Sequence, residues 1–133
     1  MYFARTIQSR QRGVSMIGFL FFAVVAIMLA MLAMKLVPAY IEFFSVKKVL
    51  STMGQDTDLR SKSNAEIRSD FSRRASVAYV TEVKPEDLSI DRRGGVPVIS
   101  ADYAFRTKLI GNVSLVVDFS ASSDPNAAPP PIE

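Results

Sequence analysis

The first third of the chain is dominated by one apolar run, Val14–Met34, that contains no charged side chain. At about 1.5 Å of rise per residue the run reaches about 31 Å as a helix, which matches a hydrocarbon core of roughly 30 Å. Residues 1–13 precede it without any acidic residue, and their positive charges are Arg5, Arg10 and Arg12. Because positive residues near a span stay in the cytoplasm, the pattern predicts a basic cytoplasmic leader and a transmembrane helix over 14–37.

A cleaved secretory signal also begins with basic residues and an apolar stretch. The apolar region of such a signal is usually only about 7–15 residues long, and it ends at a small-x-small cleavage site. Here Ala30 and Ala33 are interleaved with bulky residues, namely Met31, Leu32 and Met34. The sequence therefore favours a permanent anchor, which leaves the residues after the span outside the cytoplasm.

The helical pattern continues beyond the span as an amphipathic helix. Pro38 lacks a backbone donor and predicts a kink at the outer membrane surface. Gly54 follows the last apolar position of the pattern, where a left-handed cap residue is common. Within 39–53, apolar residues recur at steps of three and four, as expected of one buried helix face: Phe43, Val46, Val49, Leu50 and Met53.

A second, shorter helix is predicted over 64–74. Ser63 and Glu66 have the spacing of a capping box at its start. Behind them, one face of the helix carries the apolar residues Ile67, Phe71 and Ala75. After this helix the apolar period changes to two, which predicts short extended pieces at Val77, Tyr79 and Val80 and again at Leu88 and Ile90.

A longer alternation of apolar and polar residues over 99–106 is followed by Gly111 and Asn112 and by a second alternation over 113–120. This arrangement predicts an antiparallel hairpin with one buried face.

Together the elements predict an α+β fold: a long N-terminal transmembrane helix that extends into an amphipathic helix, then a short helix and a small antiparallel sheet of three or four strands. The extracytoplasmic domain is expected over 38–121. The proline-rich residues 122–133 are expected to form a disordered tail.

The composition limits the catalytic and metal-binding chemistry that the chain can carry out. The chain has no histidine and no cysteine, which removes the commonest general base, the commonest metal ligands and the thiol nucleophile. Its 16 basic and 13 acidic residues give a net charge of +3, most of it from the leader, so the remainder has no electrostatic footprint for nucleic acid. We therefore expect a protein that is not an enzyme and has no metal, cofactor or small-molecule substrate.

A hydrolase is the enzymatic alternative, and it would have only carboxylates and serines to work with. The acidic pairs are Asp56 with Asp58 and Glu86 with Asp87. Both pairs fall in polar loops, where neighbouring carboxylates are usually solvated.

A line of small residues runs along the predicted span at steps of three and four: Ala23, Ala26, Ala30 and Ala33. Small residues let a second helix approach closely, which makes this line a candidate helix-packing site. Alanine is also common in membrane helices in general, so the spacing allows both interpretations.

The junction between leader and span, Gln11–Gly18, resembles the leader of type IV pilins and type II secretion pseudopilins. In those proteins a basic leader that ends in glycine is cut just before the hydrophobic helix, so the resemblance implies a leader-peptidase site between Gly13 and Val14. The layout of one long helix carrying an antiparallel sheet is similar too. Pilins usually have a glutamate at the fifth mature position, whereas this chain has Gly18, which favours a minor or pilin-derived protein over a major filament subunit.

Two further stretches, Lys35–Glu42 and Gly111–Phe119, resemble a family of small proteobacterial inner-membrane proteins of unknown function. The resemblance implies a Gram-negative inner membrane, with the N-terminus in the cytoplasm and the C-terminal domain in the periplasm. We expect a non-catalytic protein that acts by assembly, or by contact with other membrane proteins through its span and its outer domain. The alternative is an unprocessed accessory subunit of a membrane enzyme or export complex.

Overall fold

The computed structural model describes residues 15–127. It contains two α-helices, α1 (Met16–Gly54) and α2 (Asn64–Val77), and two short 3-10 helices, Thr57–Arg60 and Pro85–Asp87. Three strands follow and pair antiparallel in chain order: β1 (Leu88–Asp91), β2 (Val98–Ile110) and β3 (Val113–Ser122). The α+β fold class is therefore confirmed, with a sheet of three strands.

The chain divides into two compact units with a boundary between Ala33 and Met34. The first unit contains the N-terminal part of α1, and its most apolar window has a mean hydropathy of 2.8 with none of its residues buried. Large side chains such as Ile17 and Phe21 are exposed there. An apolar helix of this length is compatible with a single membrane crossing, because lipid is the solvent that covers such side chains without cost.

In the second unit, α1 remains helical on both sides of Pro38 and supplies the centre of a hydrophobic core. Val46, Leu50 and Met53 are fully buried, and the partly buried Phe43 packs against them. The predicted amphipathic face is thus confirmed. The other side of the core is formed by the 3-10 helix Thr57–Arg60, by α2 and by the sheet. Their buried residues are Leu59, Ile67, Phe71, Ala75, Leu88, Ile99, Ala101 and Ala121.

Helix α2 begins with the predicted capping box. The backbone N–H of Ser63 donates to Oε2 of Glu66 at 2.6 Å, and the backbone N–H of Glu66 donates to Oγ of Ser63 at 3.3 Å. The pKa of the Glu66 carboxyl group is lowered, first by the hydrogen bond that it accepts from the Ser63 backbone N–H and then by hydrogen bonding to the Ser63 side chain. Two backbone donors that the first helical turn leaves unpaired are thereby satisfied.

The prediction of an extended piece after α2 was wrong, because the helix continues to Val77 and a hydrogen-bonded turn at residues 78–79 then ends it. The backbone N–H of Val80 donates to the carbonyl of Ala75 at 2.9 Å, and that of Tyr79 donates to the carbonyl of Ser76 at 3.4 Å. This is the bonding pattern of a Schellman motif, which requires a left-handed residue after the helix. Tyr79 occupies that position with φ of 56°, where glycine is the usual choice.

Gly54 ends α1 for a reason that differs from the prediction. Among the described glycines only Gly95 and Gly111 have positive φ, so Gly54 is not a left-handed cap. A Cβ atom at Gly54 would instead lie 2.9 Å from both the Cβ and the carbonyl oxygen of Ser123. The glycine is required because the end of the sheet crosses the end of the helix at this point.

The β2–β3 hairpin turns at Gly111 and Asn112 as predicted, with Ile110 paired to Val113. Gly111 has φ of 55° and Asn112 does not have a positive φ, which is the combination found in a type II′ turn. Side chains alternate along both strands, and those of one face point toward the core, as the alternation predicts. The register shifts between Lys108 and Ile110, so the strands carry an irregularity just before the turn.

Residues 122–124, which the sequence pattern assigns to the tail, make hydrogen bonds to the sheet. The backbone N–H of Ser123 donates to the carbonyl of Ile99 at 2.8 Å, and the N–H of Ile99 donates to Oγ of Ser123 at 2.9 Å. The backbone N–H of Asp124 donates to Oγ of Ser122 at 3.2 Å. Residues 125–127 form a turn in which the backbone N–H of Ala127 donates to the carbonyl of Asp124 at 3.2 Å, and 128–133 lie outside the described residues.

An ion-pair cluster fastens the loop after α1 to α2. Asp70, whose side chain is only 15% exposed, lies 3.1 Å from Nζ of Lys62 and 3.4 Å from Nη2 of Arg74. Arg74 also contacts Asp56 at 2.7 Å. Burial alone raises the pKa of Asp70, but the hydrogen bond from Lys62 and the charges of Arg74 and Lys62 outweigh it, so the net pKa lies below its ordinary value of 3.8.

We predict that Asp70→Asn lowers the free energy of unfolding by roughly 1 kcal/mol at neutral pH, because Lys62 and Arg74 lose a shared carboxylate. The pKa of Asp70 is lower in the folded chain than in the unfolded chain. The stability that its charge contributes is therefore complete at pH values above the unfolded-state pKa, and it is lost as the pH falls through the folded-state pKa. Urea unfolding of the full chain in detergent micelles, followed by circular dichroism, measures this difference.

The difference between wild type and variant should therefore shrink below about pH 4. Asp58→Asn is the matched control, because Asp58 is exposed and has no ion-pair partner among residues 15–127. An Asp70→Asn effect that stays constant down to pH 2 would contradict this account.

Candidate interaction surface

The part of α1 in the second unit has two faces with different environments. At about 100° per residue, Lys35, Ala39, Glu42 and Val46 fall on one side of the helix. This side, the inner face, meets the sheet and the loop after α2. On the opposite side lie three large apolar residues at steps of four and three: Val37, Ile41 and Phe44.

These three residues form what we call the outer stripe. Val37 is 53% exposed, and Ile41 and Phe44 are each 61% exposed, although all three lie in a helix that packs against a core. Single exposed apolar residues are ordinary, but three on one continuous helix face form a patch. Such a patch is typical of surfaces that bind protein or lipid.

A cleft of about 600 Å³ adjoins the outer stripe along the next turns of α1. It lies between α1 and the C-terminal end of α2, and we call it the helix cleft. Most of its lining surface is apolar, although polar and basic residues contribute to it; the lining residues are Ser45, Lys48, Val49, Thr52, Arg73, Arg74, Val77 and Ala78. Val77 is largely exposed at its edge, as is Tyr79 just beyond.

The charge around the helix cleft is positive. Lys48 has no ion-pair partner among residues 15–127, while Arg73 contacts Asp70 at 3.6 Å and remains mostly exposed. Arg74 is engaged by Asp56 and Asp70. An apolar helix with acidic residues beside it would complement the helix cleft, because the cleft combines an apolar lining with basic side chains.

Hydrogen bonds from the inner face hold α1 in place against the rest of the domain. The carboxylate of Glu42 accepts the backbone N–H of Thr81 at 2.5 Å and that of Glu82 at 2.6 Å. Nζ of Lys35 donates to the backbone carbonyl of Lys108 on β2. Ala39 is buried between these two contacts, where a small side chain lets the sheet approach. One helix side is thereby fixed to two separate segments, and the other side is left free.

Aromatic rings complete the contact between α1 and the hairpin. Phe119 of β3 stacks on Phe43 with centroids 4.9 Å apart, and Tyr40 meets it edge-on at 5.3 Å. Tyr103 lies 5.5 Å from the same ring, and its hydroxyl has no hydrogen-bond partner within residues 15–127. Burial and the negative charges of Glu42 and Glu82 raise the pKa of Tyr103 to about 12.

The predicted helix-packing residues lie in the first unit. Ala26, Ala30 and Ala33 are exposed and Ala23 is half-buried. The predicted leader-peptidase site at Gly13 and Val14 lies outside the described residues.

The acidic pairs singled out in the sequence are not brought together with each other. Asp56 is held by Arg74 and Lys62, and Asp87 accepts the backbone N–H of Lys84 at 3.0 Å. Within residues 15–127, no three acidic side chains are grouped closely enough to hold a metal ion.

The sequence pattern predicted Val46 and the buried residues that follow it on α1, but it placed Glu42 away from that face and did not indicate the outer stripe. The signal was available, because Val37, Ile41 and Phe44 make the helix apolar on both sides, whereas an ordinary amphipathic helix is polar on one. The helix cleft had no comparable signal, since its walls come from helices that are distant in sequence.

A protein family described as "Domain of unknown function (DUF4845)" matches residues 35–119. The match covers the inner face of α1, all of α2 and most of the sheet, and this chain belongs to that family. No curated protein and no solved structure matches the chain.

We predict that the outer stripe contributes little to folding. Ile41→Ser and Phe44→Ser should each change the free energy of unfolding by less than about 0.5 kcal/mol, because the removed atoms are already in solvent. Leu50→Ala on the inner face is the comparison, and it should cost about 2–5 kcal/mol because it leaves a cavity. Urea unfolding of the full chain in micelles distinguishes them, and a cost at Ile41 equal to that at Leu50 would mean that the stripe is part of the core.

Proposed function

We propose that this DUF4845 protein is a non-catalytic, single-pass inner-membrane protein that acts by assembling with other membrane proteins. The N-terminus would lie in the cytoplasm and the α+β domain in the periplasm. The exposed outer stripe on α1 is the observation that supports this function most directly, since an apolar helix face that residues 15–127 leave largely exposed favours contact with another chain.

The position of the stripe favours a protein partner over lipid alone. Lys35 is the first charge after the apolar run, so it marks the edge of the hydrocarbon. Phe44 lies about 14 Å further along the helix axis, at about 1.5 Å per residue. The polar layer of one leaflet is only roughly 5–8 Å deep, so Phe44 of an upright helix would lie beyond it.

The partner we propose is an apolar helix with flanking acidic residues. It would lie along Val37, Ile41 and Phe44 and reach the helix cleft, where Lys48 and Arg73 would meet its carboxylates. Within the membrane, the small residues Ala23, Ala26, Ala30 and Ala33 would let the same partner's span come close. A second copy of this chain and a different membrane protein both satisfy this description of the span contact.

A pilin-like assembly is the form of this function that the leader supports. The basic, glycine-ended leader and the long helix that carries a meander sheet are shared with that class. The alternative, an unprocessed accessory subunit of a membrane enzyme or export complex, is supported by Gly18, which stands where pilins have the glutamate used in filament packing.

Photo-crosslinking in intact cells tests the interaction surface. A benzophenone amino acid at Ile41 or at Phe44 should give the same adduct of defined mass, because both positions would touch one partner helix. The matched control is Ser72 on α2, which is exposed and is not among the residues that line the helix cleft. Adducts at both stripe positions and none at Ser72 are expected. Equal labelling at all three positions, or none at any, would contradict a specific interface.

The mature N-terminus distinguishes the two forms of the function. For a pilin-like protein we expect mass spectrometry of the membrane-extracted chain to find it beginning at Val14, after cleavage of the Gly13–Val14 bond. A chain that retains Met1 would exclude processing and favour the accessory subunit. Gly13→Leu is the control that should block cleavage without altering the apolar run.

A further inference from the structure

The tip of the β2–β3 hairpin is apolar on both sides of its turn. Ile110 is 64% exposed and Val113 is 59% exposed, and they flank the Gly111–Asn112 turn. The residues that flank an exposed hairpin turn are normally polar, because they are in contact with water. Two large apolar side chains at such a tip indicate an environment other than bulk water.

The structure ties this tip to the residue that emerges from the membrane. Nζ of Lys35 donates to the carbonyl of Lys108, two residues before Ile110. Under the single-pass function proposed above, Lys35 directly follows the apolar run, and its ammonium group must reach the polar edge of the bilayer. The hairpin tip is therefore held at the depth of the lipid headgroups.

The charges along the hairpin also match a lipid surface. Near the tip, the exposed residues of β2 are Arg106 and Lys108. At the other end of the hairpin they are Asp102 and, opposite Ala104 on β3, Asp118. Positive charge is thus concentrated at the apolar end, where anionic headgroups would meet it, and negative charge lies away from them.

We propose that the hairpin tip is a second membrane contact of this chain. Ile110 and Val113 insert into the boundary between headgroups and acyl chains of the outer leaflet, and Arg106 and Lys108 contact anionic lipid headgroups. The domain is then held to the bilayer at two points, the covalent one at α1 and the non-covalent one at the tip.

The absence of tryptophan from the chain makes a direct test available, because one introduced tryptophan is the sole reporter of its kind. The full chain carrying Ile110→Trp is reconstituted into vesicles of phosphatidylethanolamine and phosphatidylglycerol whose acyl chains carry bromine. Bromine quenches tryptophan only at close range, so an inserted tip should lose most of its emission, and in unbrominated vesicles that emission should shift to shorter wavelength.

Two further variants serve as references. Ala104→Trp is exposed on the same strand about 20 Å from the tip, at about 3.3 Å per residue, and its emission should stay unquenched. Phe22→Trp lies within the apolar run and should be quenched whenever the helix spans the bilayer. Quenching at Phe22→Trp therefore tests the anchor separately from the tip.

Quenching of Ile110→Trp and Phe22→Trp without quenching of Ala104→Trp supports the proposal. Quenching of Phe22→Trp alone overturns the tip contact and leaves the anchor intact, whereas loss of quenching at Phe22→Trp overturns both. Emission from Ile110→Trp that is shifted to shorter wavelength but not quenched would mean burial against protein, and it also overturns a lipid contact.

The charged part of the proposal has its own test. Arg106→Ala and Lys108→Ala, each combined with Ile110→Trp, should weaken quenching in vesicles that contain phosphatidylglycerol. The expected effect is about fivefold per charge in the equilibrium between inserted and free tip. In vesicles of phosphatidylcholine alone the same substitutions should have little effect, and equal effects in both lipids would overturn the headgroup contact.

Discussion

The packing of the second part of α1 against the sheet and α2 is the contact on which the rest of this molecule depends. Val46, Leu50 and Met53 are removed from solvent by it, and each buried side chain of this size is worth about 1.5–3 kcal/mol. The short β1 and the marginal length of α2 would not hold together without that cover. A single helix therefore has two different parts: an exposed apolar N-terminal part that is long enough to span a membrane, and a remainder that packs in a protein core.

The DUF4845 match begins at Lys35, where the polar contacts of the inner face begin. Lys35 binds the hairpin and Glu42 binds the loop after α2, so one helix side fixes two segments that are far away in sequence. Lys35 binds a backbone carbonyl, and Glu42 binds two backbone N–H groups as well as the hydroxyl of Thr81, so most of these contacts do not depend on the side chains of their targets. The domain that results has no cluster suited to metal chemistry within residues 15–127.

Periodicity predicted most of the fold, because helix and strand faces that meet one core repeat at 3.6 and 2 residues. The buried residues of α1, the capping box at Ser63 and the hairpin turn at Gly111 all followed from local pattern. What could not be predicted depends on contacts between distant residues. Gly54 is small because Ser123, which is distant in sequence, crosses it. Tyr79 is a separate case, since it ends α2 in a left-handed conformation that favours glycine. The outer stripe was overlooked because a pattern that predicts one buried helix face does not show whether a second apolar face of the same helix is buried or exposed.

The order of the sheet has a consequence for biogenesis. Each strand pairs with the one that precedes it in the sequence, so the strands can pair in the order in which they are synthesised, without waiting for a later partner. The final strand brings Phe119 onto Phe43, and Ser123 then meets Gly54. Closure of the domain thus requires residues at the C-terminal end of β3 and just beyond it. A product truncated before Phe119 would leave Phe43 and Tyr40 without the ring that packs against them.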